Sequence, residues 1–149
     1  MTTGYFEIGI YNTKTEVNVG TLWRSAYQLG AQGIFTIGKR YKRQASDTPK
    51  AWRNIPLRNY LTIDEMIIPF DALLVGIEME GIPLSEFKHP KRAIYLLGAE
   101  DYGIPENILK KCHQIVSLES IRTDSYNVAV AGSLVMYHRN FGGINGKEK

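Results

Sequence analysis

Two runs, "ALLVGIEM" (Ala72 to Met79) and "AIYLLG" (Ala93 to Gly98), restrict the possible folds more than any other feature of the chain. Each is continuously apolar, without the polar alternation of a strand that has one wet face, so each suits a strand covered on both faces in a parallel sheet. The rest of the sequence alternates in the way such a sheet requires. "FEIGI" (Phe6 to Ile10), "GIFTIG" (Gly33 to Gly38) and "QIVSL" (Gln114 to Leu118) read as further strands. "NVGTLWRSAYQLG" reads as a helix, with Leu22, Ala26 and Leu29 on one face and Gly30 closing it. Thr62 with Glu65 three residues on has the pattern of a capping box. Pro105 is placed for the first turn of a helix reaching about Cys112, and "NVAVAGSLVMYHRNF" forms a last helix. The reading is an α/β fold with a mostly parallel sheet and helices on both faces.

At 149 residues, 44% hydrophobic and 22% charged, the chain has the composition of one globular domain spanning 1–149, with a flexible tail from about 143 to 149. Its start lacks a secretory signal and no apolar run approaches the roughly 18 residues of a membrane span, so a cytoplasmic location is expected. Cys112 is the only cysteine and falls on a helical pattern, which points to a small buried thiol. His89, His113 and His138 are scattered without ligand spacing, so no metal site is expected.

The net charge of +3 is unevenly distributed. Between Lys39 and Arg58 lie seven basic residues (Lys39, Arg40, Lys42, Arg43, Lys50, Arg53 and Arg58) against one acid, Asp47. Tyr41, Trp52, Asn54 and Tyr60 are interleaved with them, residue types that bond phosphates or stack on bases. The segment therefore reads as an electrostatic footprint for RNA, against the plainer reading of a solvated loop.

In open α/β sheets, ligands sit beyond the carboxyl ends of the strands, which gives the loops carrying Gly98 and Ser125 a shared neighbourhood. Gly98 would let a ligand approach the backbone, and Gly103 would relieve the turn towards Pro105; turn geometry alone explains both glycines equally well.

Three segments together are more specific. "NVGTLWRSA" (Asn18 to Ala26), "LLGAEDYGIP" (Leu96 to Pro105) and "SYNVAVAGSLVMYHR" (Ser125 to Arg139) resemble, in order and separation, the three motifs of the SpoU (TrmH-like) RNA 2'-O-ribose methyltransferases. The resemblance spans nearly the whole chain. It implies a SPOUT fold with a C-terminal deep trefoil knot, an exception to the rule that chains avoid knots. It also implies S-adenosyl-L-methionine as cofactor and a homodimer with active sites at the subunit interface. By position, the cofactor pocket would comprise Val75, Gly76, Ile77, Gly98, Leu118, Ser125, Asn127 and Val128.

The resemblance further implies methylation of a ribose 2'-hydroxyl, with Arg24 at that hydroxyl and Asn18, Glu100 and Asn127 completing the catalytic set. A guanidinium normally keeps its proton, so binding a phosphate and stabilising the developing alkoxide are the roles expected of Arg24. Asn18 and Asn127 have helix capping as their plain alternative. Glu100 is expected to orient Arg24 or another motif side chain by a charge-assisted hydrogen bond. Two positions depart from the family pattern. Tyr126 stands where Leu or Met is usual, and "SLES" (Ser117 to Ser120) replaces an Ile-Pro pair.

With no further RNA-binding domain expected, Lys39, Arg40, Lys42, Arg43 and Arg53 would supply the grip on RNA, with tRNA favoured over ribosomal RNA. A catalytically silent RNA-binding member of the fold is the alternative from another class. A nucleotide-binding enzyme of a different kind would need a phosphate loop, and the sequence has none.

Overall fold

The computed structural model describes residues 4–38, 49–100 and 102–142. In chain order these form β1 (Tyr5–Tyr11), α1 (Glu16–Gln28), β2 (Gly33–Ile37), α2 (Pro49–Asn54), β3 (Leu57–Tyr60), β4 (Leu73–Pro83), β5 (Arg92–Leu97), α3 (Glu106–Leu109), β6 (Gln114–Ser117) and α4 (Val128–Phe141). The six strands make one sheet in the order β3-β2-β1-β5-β4-β6, and every pairing is parallel.

Alternation along the strands divides the core between two faces. Phe6, Ile8 and Ile10 of β1, with Ala93, Tyr95 and Leu97 of β5, point to the face covered by α1 and α4. Their neighbours Ile94 and Leu96 point to the other face, with Phe35 and Ile37 of β2, and are covered by Ile104 and Ile108 around α3. This two-sided cover is why the strands lack polar alternation. The helices α1 and α4 pack closely enough that a Cβ at Gly132 would meet Leu22 at 2.6 Å and Leu97 at 2.9 Å. Ser133 Oγ and Ser25 Oγ bond between the same two helices at 2.9 Å.

Several expectations change. The basic segment contains regular structure: α2, just past which the Ile55 carbonyl accepts the Trp23 indole N–H (3.1 Å), and the edge strand β3. The Thr62 pattern produces only a single 3-10 turn, Ile63–Glu65, in which Thr62 makes no side-chain cap. Glu65 instead accepts the Leu61 N–H (3.0 Å), one residue outside the box. Pro105 is the N-cap of a helix that is regular only over Glu106–Leu109. His89 and His138, far apart in sequence, meet with Nε2 and Nδ1 2.8 Å apart. Cys112 lies past the end of α3 rather than on a helix and is half-buried, and that burial pushes its thiol up to about 11. Among the described residues no helix is long and apolar enough to cross a membrane, and no cluster of three or more His, Cys, Asp or Glu could hold a metal ion. Lys39, Arg40, Tyr41, Lys42, Arg43 and the 143–149 tail lie outside the described residues.

Candidate active site

Because all strands run the same way, the loops after β1, β5 and β6 emerge at one edge of the sheet. The strands β1 and β5 are neighbours there, but the chain leaves them in opposite directions. After β1 it passes through α1 to β2. After β5 it passes through α3, on the opposite face, to β6. That divergence is a topological switch point, where the backbone parts and leaves a crevice.

Glu100, just beyond β5, reaches across this point to the segment after β1. Its carboxylate accepts from Thr13 Oγ1 (2.7 Å), the Lys14 N–H (3.2 Å), Thr15 Oγ1 (3.3 Å) and, at short range, Asn18 Nδ2. Thr13 is only 1% exposed and Asn18 6%. Burial by itself would raise the Glu100 pKa, but the donors from Thr13, Lys14 and Asn18, with its own backbone N–H, outweigh it and hold the carboxyl below its ordinary value. The side chain that Glu100 holds is therefore Asn18.

Asn18 passes the restraint on. Its Oδ1 accepts from Asn127 Nδ2 at 3.1 Å, and Asn127 Oδ1 accepts the Val130 N–H at 3.1 Å as the N-cap of α4. Asn127 is thus a cap and a link at once. Asn18 is no cap, since that position belongs to Thr15. The chain Glu100–Asn18–Asn127 joins the loop after β5, the first turn of α1 and the start of α4. Arg24 is exposed on α1, farther along the same helix.

Beside this hub lies a cleft of about 860 Å³. Ile77, Gly98, Leu118, Ser125 and Val128 line it, as does Glu100. Val75 is fully buried in the core below the cleft, and Gly76 faces Cys112, whose Sγ lies 2.9 Å from where a Cβ would stand. Those two residues and Asn127 are not part of the lining. At Gly98 the close approach is made by the protein itself: a Cβ there would meet the Ile104 nitrogen at 2.6 Å and collide with the Gly103 backbone. Gly103 has φ +67°, so the hairpin needs glycine at both ends. The turn reading of these glycines is the one the geometry supports.

Sequence reasoning missed Thr13 and Thr15, which complete the Glu100 cradle, and the cleft carboxylates Glu78, Glu80, Glu119 and Asp124. Two threonines just ahead of an asparagine on a helical pattern were the available signal; their partner lies more than eighty residues away. No lysine or arginine is among the described residues lining the cleft, although Lys14 stands at its mouth with Nζ 5.2 Å from the centre of the Tyr102 ring.

Fold and site together define a parallel α/β protein whose cleft lies at the carboxyl ends of β4, β5 and β6, beside the switch point between β1 and β5. The chain belongs to the SpoU rRNA methylase family, whose pattern matches residues 5–137. An uncharacterised tRNA/rRNA methyltransferase of Archaeoglobus fulgidus is 21% identical over 145 residues, covering 92% of this chain and 65% of the relative. Among solved structures, the SpoU methyltransferase AviRb of Streptomyces viridochromogenes in complex with AdoMet superposes with a TM-score of 0.82 at 19% identity, covering 93% of this chain and 58% of that one. A protein whose structure concerns the 2-OH methylation of C/U34 on tRNA superposes with a TM-score of 0.79 at 21% identity, covering 96% of this chain and 98% of that one. These structural likenesses show the fold. The chain spans about two thirds or less of the archaeal relative and of AviRb.

Proposed function

We propose that the protein is an S-adenosyl-L-methionine-dependent RNA methyltransferase that modifies a ribose 2'-hydroxyl. The observation that carries this reading is the hydrogen-bonded chain Glu100–Asn18–Asn127, which draws residues from all three motif segments to one edge of the cleft. The cleft chemistry fits the cofactor. Ile77, Leu97, Leu118 and Val128 offer an apolar bed for an adenine, while Glu78, Glu80, Glu119 and Asp124 suit a cationic methionine end. A phosphate-bearing nucleotide would meet repulsion there. When bound, S-adenosylmethionine supplies the electrophilic methyl group.

The chain's own residues have the remaining tasks. A ribose hydroxyl must be held in line and its developing charge stabilised. Arg24 is assigned to the RNA phosphate and the alkoxide, with its guanidinium protonated throughout. Glu100 and Asn127 fix Asn18, which positions the substrate-side loop. The carboxyl end of β2 lies at the same edge as the cleft and the chain continues from there into residues 39–48, whose basic residues are proposed, with Arg53, to hold the RNA. Arg58 is partly engaged elsewhere, 3.7 Å from the Glu7 carboxylate.

We assign a homodimer to the face of α4 that presents Val130, Leu134, Tyr137 and Phe141 at helical spacing, each 40–59% exposed. A trefoil knot in the 118–127 return is the topology proposed with this assembly. tRNA is the favoured substrate, and ribosomal RNA the alternative within the same chemistry. The test is incubation with methyl-labelled S-adenosylmethionine and either bulk tRNA or ribosomal RNA, followed by digestion to nucleosides. Label in 2'-O-methylnucleosides is expected. No transfer to either RNA, with no cofactor binding by calorimetry, would defeat the proposal; RNA binding retained under those conditions would favour the silent RNA-binding member.

A further inference from the structure

Between β6 and α4, residues 118–127 cross the cleft with no helix or strand, and the segment contains neither proline nor glycine. Leu118, Glu119, Ser120, Thr123, Asp124 and Ser125 all line the cleft. A segment of that length has many accessible conformations, so a ligand that needs one of them binds more weakly unless cross-links select it beforehand. The structure contains such cross-links. The Tyr126 ring packs against the main core, and its hydroxyl donates to the Glu119 carbonyl at 2.5 Å, closing the loop on itself. The Glu119 carboxylate in turn accepts from Ser85, from the N–H at 3.3 Å and from the hydroxyl at short range, tying the loop to the turn after β4. At the loop's base, Ser117 Oγ donates to the Gly81 carbonyl (3.1 Å). The two positions that depart from the family pattern, Tyr126 and the Ser117–Ser120 stretch, are therefore bonded to each other.

We infer that Tyr126 is a positioning residue for the cofactor, its hydroxyl setting the path of the 118–126 loop before the nucleoside enters. The inference rests on the proposed S-adenosylmethionine site. Tyr126→Phe keeps the ring in the core and removes only the bond to Glu119. Binding of S-adenosylmethionine to the full chain by calorimetry is expected to weaken about three- to tenfold, the worth of one hydrogen bond. The KM for the cofactor should rise in parallel, with kcat at saturating cofactor unchanged within about twofold. Hydrogen exchange should quicken at residues 118–126 and not in β1 or β5. Ser85→Ala, which removes the hydroxyl bond of the other tether and leaves its backbone N–H, should produce a smaller shift in the same direction. Wild-type protein that binds no S-adenosylmethionine would overturn the underlying site and the inference together. Wild type that binds, with a Tyr126→Phe variant of equal affinity and equal loop exchange, would overturn the role of Tyr126 alone.

Discussion

The two sides of the cleft are each organised by a glutamate, and they are built differently. On one side Glu100 is partly buried and takes bonds from four residues of a single segment, Thr13 to Asn18, one of them passing on to α4. On the other, Glu119 is exposed, with its carboxylate held by Ser85 and its carbonyl by Tyr126. A carboxylate that satisfies buried donors such as Thr13 and Asn18 is costly to disturb, because those donors would be left unsatisfied; an exposed one can exchange its partners for water. The first arrangement suits a geometry fixed for chemistry. The second suits a loop that must admit and release a ligand.

The largest effect should come from Arg24→Ala, which on this account lowers methyl transfer by at least about a hundredfold, in the range of a lost transition-state donor. Calorimetry should then give a nearly unchanged cofactor affinity; a large loss would move Arg24 into the cofactor site and blur the division between the two sides. Glu100→Gln comes next. It preserves size but replaces an acceptor with an amide that cannot accept from every donor around it, so urea denaturation should show a loss of about 1–3 kcal/mol. Asn127→Ala removes both a cap and the link to Asn18, with an expected cost of about 1 kcal/mol from the cap itself.

Acid should separate the Glu100 hub from the buried pair His89 and His138. His89, whose Nδ1 lies 2.7 Å from the Tyr95 hydroxyl, has its pKa lowered to about 3 by burial first and then by the nearby His138 and Arg139. The unfolded chain binds that proton near 6.5, so the stability His89 contributes falls as pH drops from about 6.5 towards 3. Glu100 works lower. Its depressed pKa makes its contribution complete above about 4.5 and lost only as pH falls through the folded value beneath that. Hydrogen exchange at pH 5.5 should therefore show weakening around His89 and its partner His138 while Thr13 to Asn18 stay protected. His89→Asn should flatten that part of the profile.

Much of the fold was legible because the strongest signals were local. The continuous runs at 72–79 and 93–98 became central strands, and the spacing of Leu22 and Ala26 placed the buried face of α1. Short elements were harder. Nothing local separates "LRNY" from a basic loop, and β3 exists because β2 offers an edge to pair with. The capping pattern at Thr62 was a true turn signal without enough helix after it to be capped. At the site, motif spacing picked out Asn18, Glu100 and Asn127, which the fold brings together. That Glu100 grips Asn18, and that threonines complete its cradle, depends on β1 lying beside β5, and strand order is not written in any local pattern. The meeting of His89 and His138 was hidden for the same reason.

The division of the cleft into a side that sets chemistry and a side that sets cofactor affinity is tested most directly by steady-state kinetics on Glu100→Gln and Tyr126→Phe, with cofactor and RNA varied separately. The account predicts that Glu100→Gln lowers kcat at least about tenfold while moving the cofactor KM little, and that Tyr126→Phe raises the cofactor KM while leaving kcat in place. Both variants shifting the same parameter, or the two effects exchanged, would contradict it.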